Sequence, residues 1–206
     1  MPDVAALYVD TVRGPYRHIP GVVCYGIKED ATAYNGPFPG VYHPPCGAWG
    51  ALAWSANDDG HTGPIAVAQV RRWGGVLEHP ADSRLFDVCG MPAPGWLPDQ
   101  WGGWTLAVRQ CDWGHMAAKA TWLYVVGCPR ASIPACPPRR EPTHHVQARP
   151  VAEREAGLPW LPEMPKRLRH LTPPAFAAWL VELARRCSAP APRLPEPRAN
   201  ACGRSV

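Results

Sequence analysis

Residues 64–80 read Pro-Ile-Ala-Val-Ala-Gln-Val-Arg-Arg-Trp-Gly-Gly-Val-Leu-Glu-His-Pro. The first ten carry a helical period: Ala66, Val70 and Trp73 fall on one face. Pro64 suits a first turn, where its missing N–H costs nothing. Gly74-Gly75 stops the helix, and Val76-Leu77 opens a short apolar strand ending on Glu78-His79-Pro80. Upstream, residues 5–10 (Ala-Ala-Leu-Tyr-Val-Asp) and 22–27 (Val-Val-Cys-Tyr-Gly-Ile) read as strands. The turn between them, Arg13-Gly14-Pro15-Tyr16, leaves little room for a full crossover helix. Gly40-Val41-Tyr42 makes a third brief strand running into His43-Pro44-Pro45-Cys46, and residues 104–110 and 120–127 are later strands. Strands alternating with helices predict an α/β fold with a mostly parallel sheet. Ligands of such sheets gather at the carboxyl ends of the strands. Asp10, Cys46 and Glu78 all belong to that edge.

Size and composition bound the rest. A chain of 206 residues suits one domain, with or without a tail. Apolar residues at 46% supply a core, and ten Trp argue against a wholly disordered chain. No apolar run approaches the ~20 residues of a membrane span. No basic segment followed by an apolar stretch opens the chain, so a cytoplasmic protein is expected, with no membrane partner. The reading divides the chain into a catalytic α/β core (1–127), a Pro-rich irregular insert (128–165), a C-terminal helix packing back on the core (166–187) and a disordered tail (188–206). Within 166–187, Thr172 is the expected N-cap, and Phe176, Leu180 and Leu183 the buried stripe.

The net charge of +4 hides an asymmetry. Residues 1–103 hold 6 Lys/Arg against 10 Asp/Glu; residues 104–206 hold 15 against 7. Of the basic residues only Lys28, Lys119 and Lys166 are Lys. An Arg-rich basic half fits a polyanion, although a GC-rich gene produces the same bias. The eight Cys include no CxxC pair. Cys128, Cys136, His144 and His145 are too widely spaced for a usual zinc set, so no metal is expected. Trp49, Trp54, Trp73 and Trp104 read as core or rim residues.

The chemistry concentrates in Pro44-Pro45-Cys46 and, 32 residues after the Cys, Glu78-His79-Pro80. Attack on C6 of a pyrimidine needs a strong nucleophile that can later leave, and a thiolate is both. The ring resists attack unless N3 is protonated or strongly hydrogen-bonded. A carboxyl on a rigid strand end meets that need and also binds the exocyclic amine. Cys46 and Glu78 are therefore the candidate catalytic pair. His43 and His79 have the competing reading of loop or core histidines.

These motifs resemble those of the cytosine-C5 DNA methyltransferases, especially the short forms of phage genomes. Pro45-Cys46 is similar to the family's nucleophile motif, and Glu78-His79-Pro80 to its Glu-Asn-Pro motif, with His replacing Asn. Trp113-Gly114-His115 and Lys119-Ala120-Thr121 resemble later elements. Lys166–Arg169 leading to Thr172-Pro173-Pro174-Ala175 resembles the final motif, whose helix packs on the cofactor domain. The likeness spans about residues 5–186, in patches. It implies a reduced Rossmann-like methyltransferase sheet with helices on both faces, a DNA partner and S-adenosyl-L-methionine as cofactor. It assigns Asp10, Gly14, Glu29, Asp30 and Pro44 to the cofactor, and His79, His115, Lys119, Arg167 and Arg169 to substrate or DNA.

The chain departs from the family in three places. The loop after the first strand, Asp10-Thr11-Val12-Arg13-Gly14-Pro15, has one Gly where the family is Gly-rich. Lys28 stands where the family places its ribose-binding acid, leaving Glu29 or Asp30 as substitutes. Residues 128–165 are too few for a target-recognition domain. Two other readings stay open: a non-catalytic relative that binds DNA or protein, and a related enzyme acting on another pyrimidine.

Overall fold

Six apolar runs pair into one mixed sheet. The computed structural model describes residues 1–50, 53, 60–81, 83–146 and 161–189. The strands are β1 (Val4–Leu7), β2 (Val22–Tyr25), β3 (Gly40–Tyr42), β4 (Gly75–Pro80), β5 (Trp104–Arg109) and β6 (Ala120–Val126). Among the described residues the α-helices are α1 (Thr62–Trp73), α2 (Leu85–Val88) and α3 (Pro174–Arg185). The sheet order is β2-β1-β3-β4-β6-β5. The first four strands are parallel, and β6 is antiparallel to both its neighbours. The chain is therefore α/β with a mostly parallel sheet, as its periodicity predicts.

Alternation along the strands separates two cores. Ala5, Leu7, Tyr42, Leu77, Tyr124 and Val126 cluster with Ala66, Val67 and Val70 of α1. Val4, Ala6, Val41, Val76, Leu123 and Val125 cluster with Phe176, Leu180 and Leu183 of α3. The three α3 side chains are fully buried, each worth about 1.5–3 kcal/mol of apolar transfer. Trp104 belongs to the core on the α3 side, while Trp49 and Trp73 pack at the margin of the core on the α1 side.

Three boundaries differ from expectation, each for a local reason. β1 stops at Leu7, because Tyr8 takes a φ of 61° and leaves the ladder; Asp10 stands three residues beyond the strand. β2 stops at Tyr25, and the Gly26 N–H turns to the Glu29 carboxylate at 2.9 Å. Thr172 does not cap α3. The cap is Pro173, in extended conformation and with no side-chain bond, because a residue preceding proline is driven out of the helical region.

β3 and β4 approach so closely that only glycine fits at the start of β4. Gly75 has φ 120°, and a Cβ there would lie 2.0 Å from the Gly40 carbonyl oxygen. At the same pole the chain leaving α3 crosses the sheet. The Ser188 N–H donates to the Gly127 carbonyl at 3.0 Å, and its own oxygen lies over Gly74 and Gly127.

Of the expected insert, the described residues form a 3-10 turn at Arg130–Ser132 and two isolated bridges, Ala117 with His144 and His145 with Glu163. Residues 147–160, Trp54 and all of the expected tail beyond Ala189 lie outside the described residues. Among the described residues, no helix is long and apolar enough to cross a membrane. None of their His, Cys, Asp and Glu side chains form a group of three that could hold a metal ion.

Candidate active site

From β1 the chain steps outward to β2, then returns to β3 on the other side of β1. Strand order reverses between β1 and β3, and open α/β sheets bind ligands at the carboxyl ends beside such a point. A cavity of about 830 Å³ occupies this place. Its walls come from the loop after β1 (Tyr8–Tyr16), the loop after β3 (His43–Cys46) and the end of β4 (Glu78–Pro80). Lys119 and the segment Arg169–Thr172 complete it. Because β6 runs antiparallel, its beginning meets the carboxyl edge of β4, with Pro80 opposite Thr121. That register carries Lys119 into the site.

The β3 loop leaves the sheet under two constraints. The His43 N–H donates to the Leu7 carbonyl at 3.0 Å. Pro44 is buried and Pro45 exposed, and the fixed φ of both directs the turn. Cys46 follows, exposed, at the head of a 3-10 turn over Gly47–Trp49. In the β1 loop, the Gly14 N–H donates to the Asp10 carbonyl at 3.0 Å, and a Cβ on Gly14 would stand 2.3 Å from that oxygen. Tight closure requires glycine there.

Glu78 sits at the centre of a hydrogen-bonded chain. His43 Nδ1 lies 2.9 Å from its Oε2, and the Gln110 amide donates to its Oε1 at 2.9 Å. The same amide also donates to the Thr121 hydroxyl at 3.0 Å. On the other side of the imidazole, Tyr16 Oη is 2.6 Å from His43 Nε2. The His43 and Glu78 side chains are 12% and 13% exposed. Burial pushes the Glu78 carboxyl up, but the hydrogen bond and charge of His43, with Lys119 and His79, outweigh it and hold the group at about 2. Burial, then the Glu78 charge, drive the Tyr16 phenol well above its ordinary value. Tyr16 therefore stays neutral.

The lowered Glu78 value makes a stability prediction. A carboxyl whose folded pKa is depressed adds stability above its unfolded value and loses it as pH falls through the folded one. The loss should run from about pH 4.5 toward pH 2 and reach roughly 3 kcal/mol. Urea midpoints of wild type and Glu78→Gln, taken from pH 6 to pH 3, should converge as pH falls. Parallel curves would show that the ion pair does not stabilise the fold.

The structure gathers many of the expected residues. Asp10, Gly14, Pro44, Cys46, Glu78, His79, Lys119 and Arg169 all line the cavity. His79 is 1% exposed and serves as wall, with no surface to offer a phosphate. Arg169 pairs with Glu163 and donates to the Met164 carbonyl. Glu29, Asp30, His115 and Arg167 stand outside the cavity lining. The Glu29 carboxylate closes its own turn on Gly26, and Asp30 accepts from the Thr32 N–H at 3.1 Å. Both follow β2, the outermost strand, one strand removed from the switch point. His115 is 7% exposed and turns Nδ1 onto Ala117. Burial, and then Lys119, lower its pKa. Arg167 is exposed and away from the cavity.

Sequence reasoning assigned no role to Tyr16, Gln110 or Thr121, and it left His43 between a loop or core histidine and a proton carrier. Gln110 ends an apolar run and so carried a signal. Tyr16 carried none, since its partner is 27 residues away and the two meet only through the sheet order. Compared with known proteins, the chain matches no family model, no curated protein and no solved structure.

Proposed function

We propose that the chain is a DNA cytosine-C5 methyltransferase-like enzyme on a reduced Rossmann-like sheet with helices on both faces. One observation carries the reading: a thiol and a carboxylate, from the adjacent parallel ends of β3 and β4, border one cavity at the switch point of the sheet. Cys46 attacks C6 of a cytosine turned out of its duplex, since the base cannot be reached in the stack. Glu78 accepts hydrogen bonds from the amine and from protonated N3. Lys119 and Arg169 at the rim draw in phosphate. The cytoplasm, where thiols stay reduced, suits a nucleophile of this kind.

A cavity this large leaves room beside a single base. Asp10, Gly14 and Pro44 also line it and would hold S-adenosylmethionine, which supplies an electrophilic methyl group when bound. Glu29 and Asp30, the expected ribose-binding acids, stand outside the cavity lining, each with one oxygen held in its own turn. That observation favours a second reading, a relative that binds DNA without catalysis.

DNA carrying 5-fluorocytosine separates the two. With the cofactor present, the enzyme should form a covalent adduct that survives denaturing electrophoresis. Titration calorimetry with S-adenosylmethionine should give saturable heat. A chain that binds DNA yet gives neither adduct nor heat is the non-catalytic module.

A further inference from the structure

We propose that His43 is a positioning residue that loads Glu78 with the proton taken up by N3 of the pyrimidine as the thiolate adds to C6. The proposal rests on the assignment of Cys46 and Glu78 above and extends it to the source of the proton.

Both oxygens of Glu78 are engaged by the protein, Oε2 with His43 and Oε1 with Gln110. An amide N–H has no proton to give near neutral pH. Imidazole is the side chain that exchanges one in that range. Tyr16 is 1% exposed and held neutral, so the phenol is no acid; it fixes the ring from the far side through Nε2. The unit thus has one mobile proton, on His43, whose Nδ1 is turned onto Glu78 at the cavity wall. This matters because Glu78 is strongly ionised and has no proton of its own to donate.

The step balances as follows. The Cys46 thiolate forms the S–C6 bond, and the C5–C6 π pair moves to C4–C5. The C4–N3 π pair takes a proton from Glu78 as Glu78 takes the Nδ1 proton of the His43 imidazolium. The site begins with an imidazolium, a carboxylate and a thiolate. It ends with a neutral imidazole, a carboxylate and a neutral thioether adduct, so net charge is unchanged.

The groups facing this unit come from several elements. Tyr16 approaches from the turn after β1, with Cys24 of β2 behind it. His79 of β4 and Lys119 before β6 act on Glu78. Asp10, Arg13, His18, Cys46, Arg169 and His170 border the same cavity. All remain in a His43→Gln variant, so a changed pH profile in that variant belongs to His43.

The probe is an oligonucleotide carrying [5-³H]deoxycytidine, without methyl donor. After thiol addition at C6, the enamine takes a proton at C5 from water and then loses its original hydrogen there, so tritium release reports addition without methyl transfer. Wild type should give a bell-shaped rate between pH 5 and pH 9, rising with the thiolate and falling as the imidazolium is lost. His43→Gln should run about 100-fold slower, within the range of a lost acid, and should lack the falling limb. Tyr16→Phe keeps the ring and removes the hydrogen bond between Oη and Nε2. It should move the falling limb and leave the rising limb in place. If His43→Gln does not fold, Tyr16→Phe decides alone: a moved limb supports the relay, an unmoved one overturns it. A His43→Gln protein with the wild-type profile also overturns the relay while leaving Cys46 and Glu78 intact. Absence of release from wild type overturns the parent assignment, and the relay with it.

Discussion

Cys46→Ala is expected to fold as the wild type does and to lose methyl transfer to DNA by on the order of 10⁴-fold or more, the scale on which a nucleophile's removal is felt. Among the described residues, no other sulfur borders the cavity. Cys24 and Cys111 belong to packed surroundings, and burial raises both of their pKa values, which makes them poorer nucleophiles. Cys46 is exposed, at the head of a short turn, so its loss should change stability by no more than about 0.5 kcal/mol. Incorporation of labelled methyl into DNA, compared with the urea midpoint, separates chemistry from folding. Transfer by Cys46→Ala within tenfold of wild type would remove the sulfur from the mechanism and leave Glu78 and His43 as a binding device.

The second large effect concerns stability. Phe176→Ala should cost about 3–5 kcal/mol, the range of buried aromatic deletions, from a total of about 5–15 kcal/mol. The ring is fully buried. Its centroid is 5.0 Å from that of Trp113 and 6.3 Å from that of Trp179. Neither neighbour is free to fill the hole, since Trp113 also abuts Trp179 at 5.0 Å and the Trp179 indole N–H donates to the Ala135 carbonyl at 3.0 Å. Pro174, at the start of the same helix, lines the cavity, so loosening α3 should disturb that wall as well. Urea denaturation measures the first effect. A loss under about 1 kcal/mol would mean that the aromatic cluster closes over the gap.

The strands were legible because each is a short apolar run ended by a polar residue or glycine, and α1 because its period is regular. The placing of Cys46 and Glu78 at one edge followed from the strand-end rule for parallel sheets. The order of strands was not written in any local pattern, and the errors follow from that. Glu29 and Asp30 looked like site residues in sequence, but β2 is an edge strand and carries them away from the switch point. The resemblance assigned His115 to substrate or DNA, yet its ring turns Nδ1 onto Ala117. His43 looked ordinary, because its two partners reach it from opposite sides along a path only the assembled sheet defines. Thr172 met the compositional rule for a cap and failed it, because two prolines moved the helix start.

Ser188 and the paired glycines close the pole where β4 begins and β6 ends, whereas the cavity opens where β4 ends and β6 begins. Six residues of strand, about 20 Å, lie between them. A surface anchor or dye attached at Ala189 would therefore sit on the blind side of the molecule. An immobilised copy would keep its mouth turned to bulk solution, open to a polymer far longer than itself.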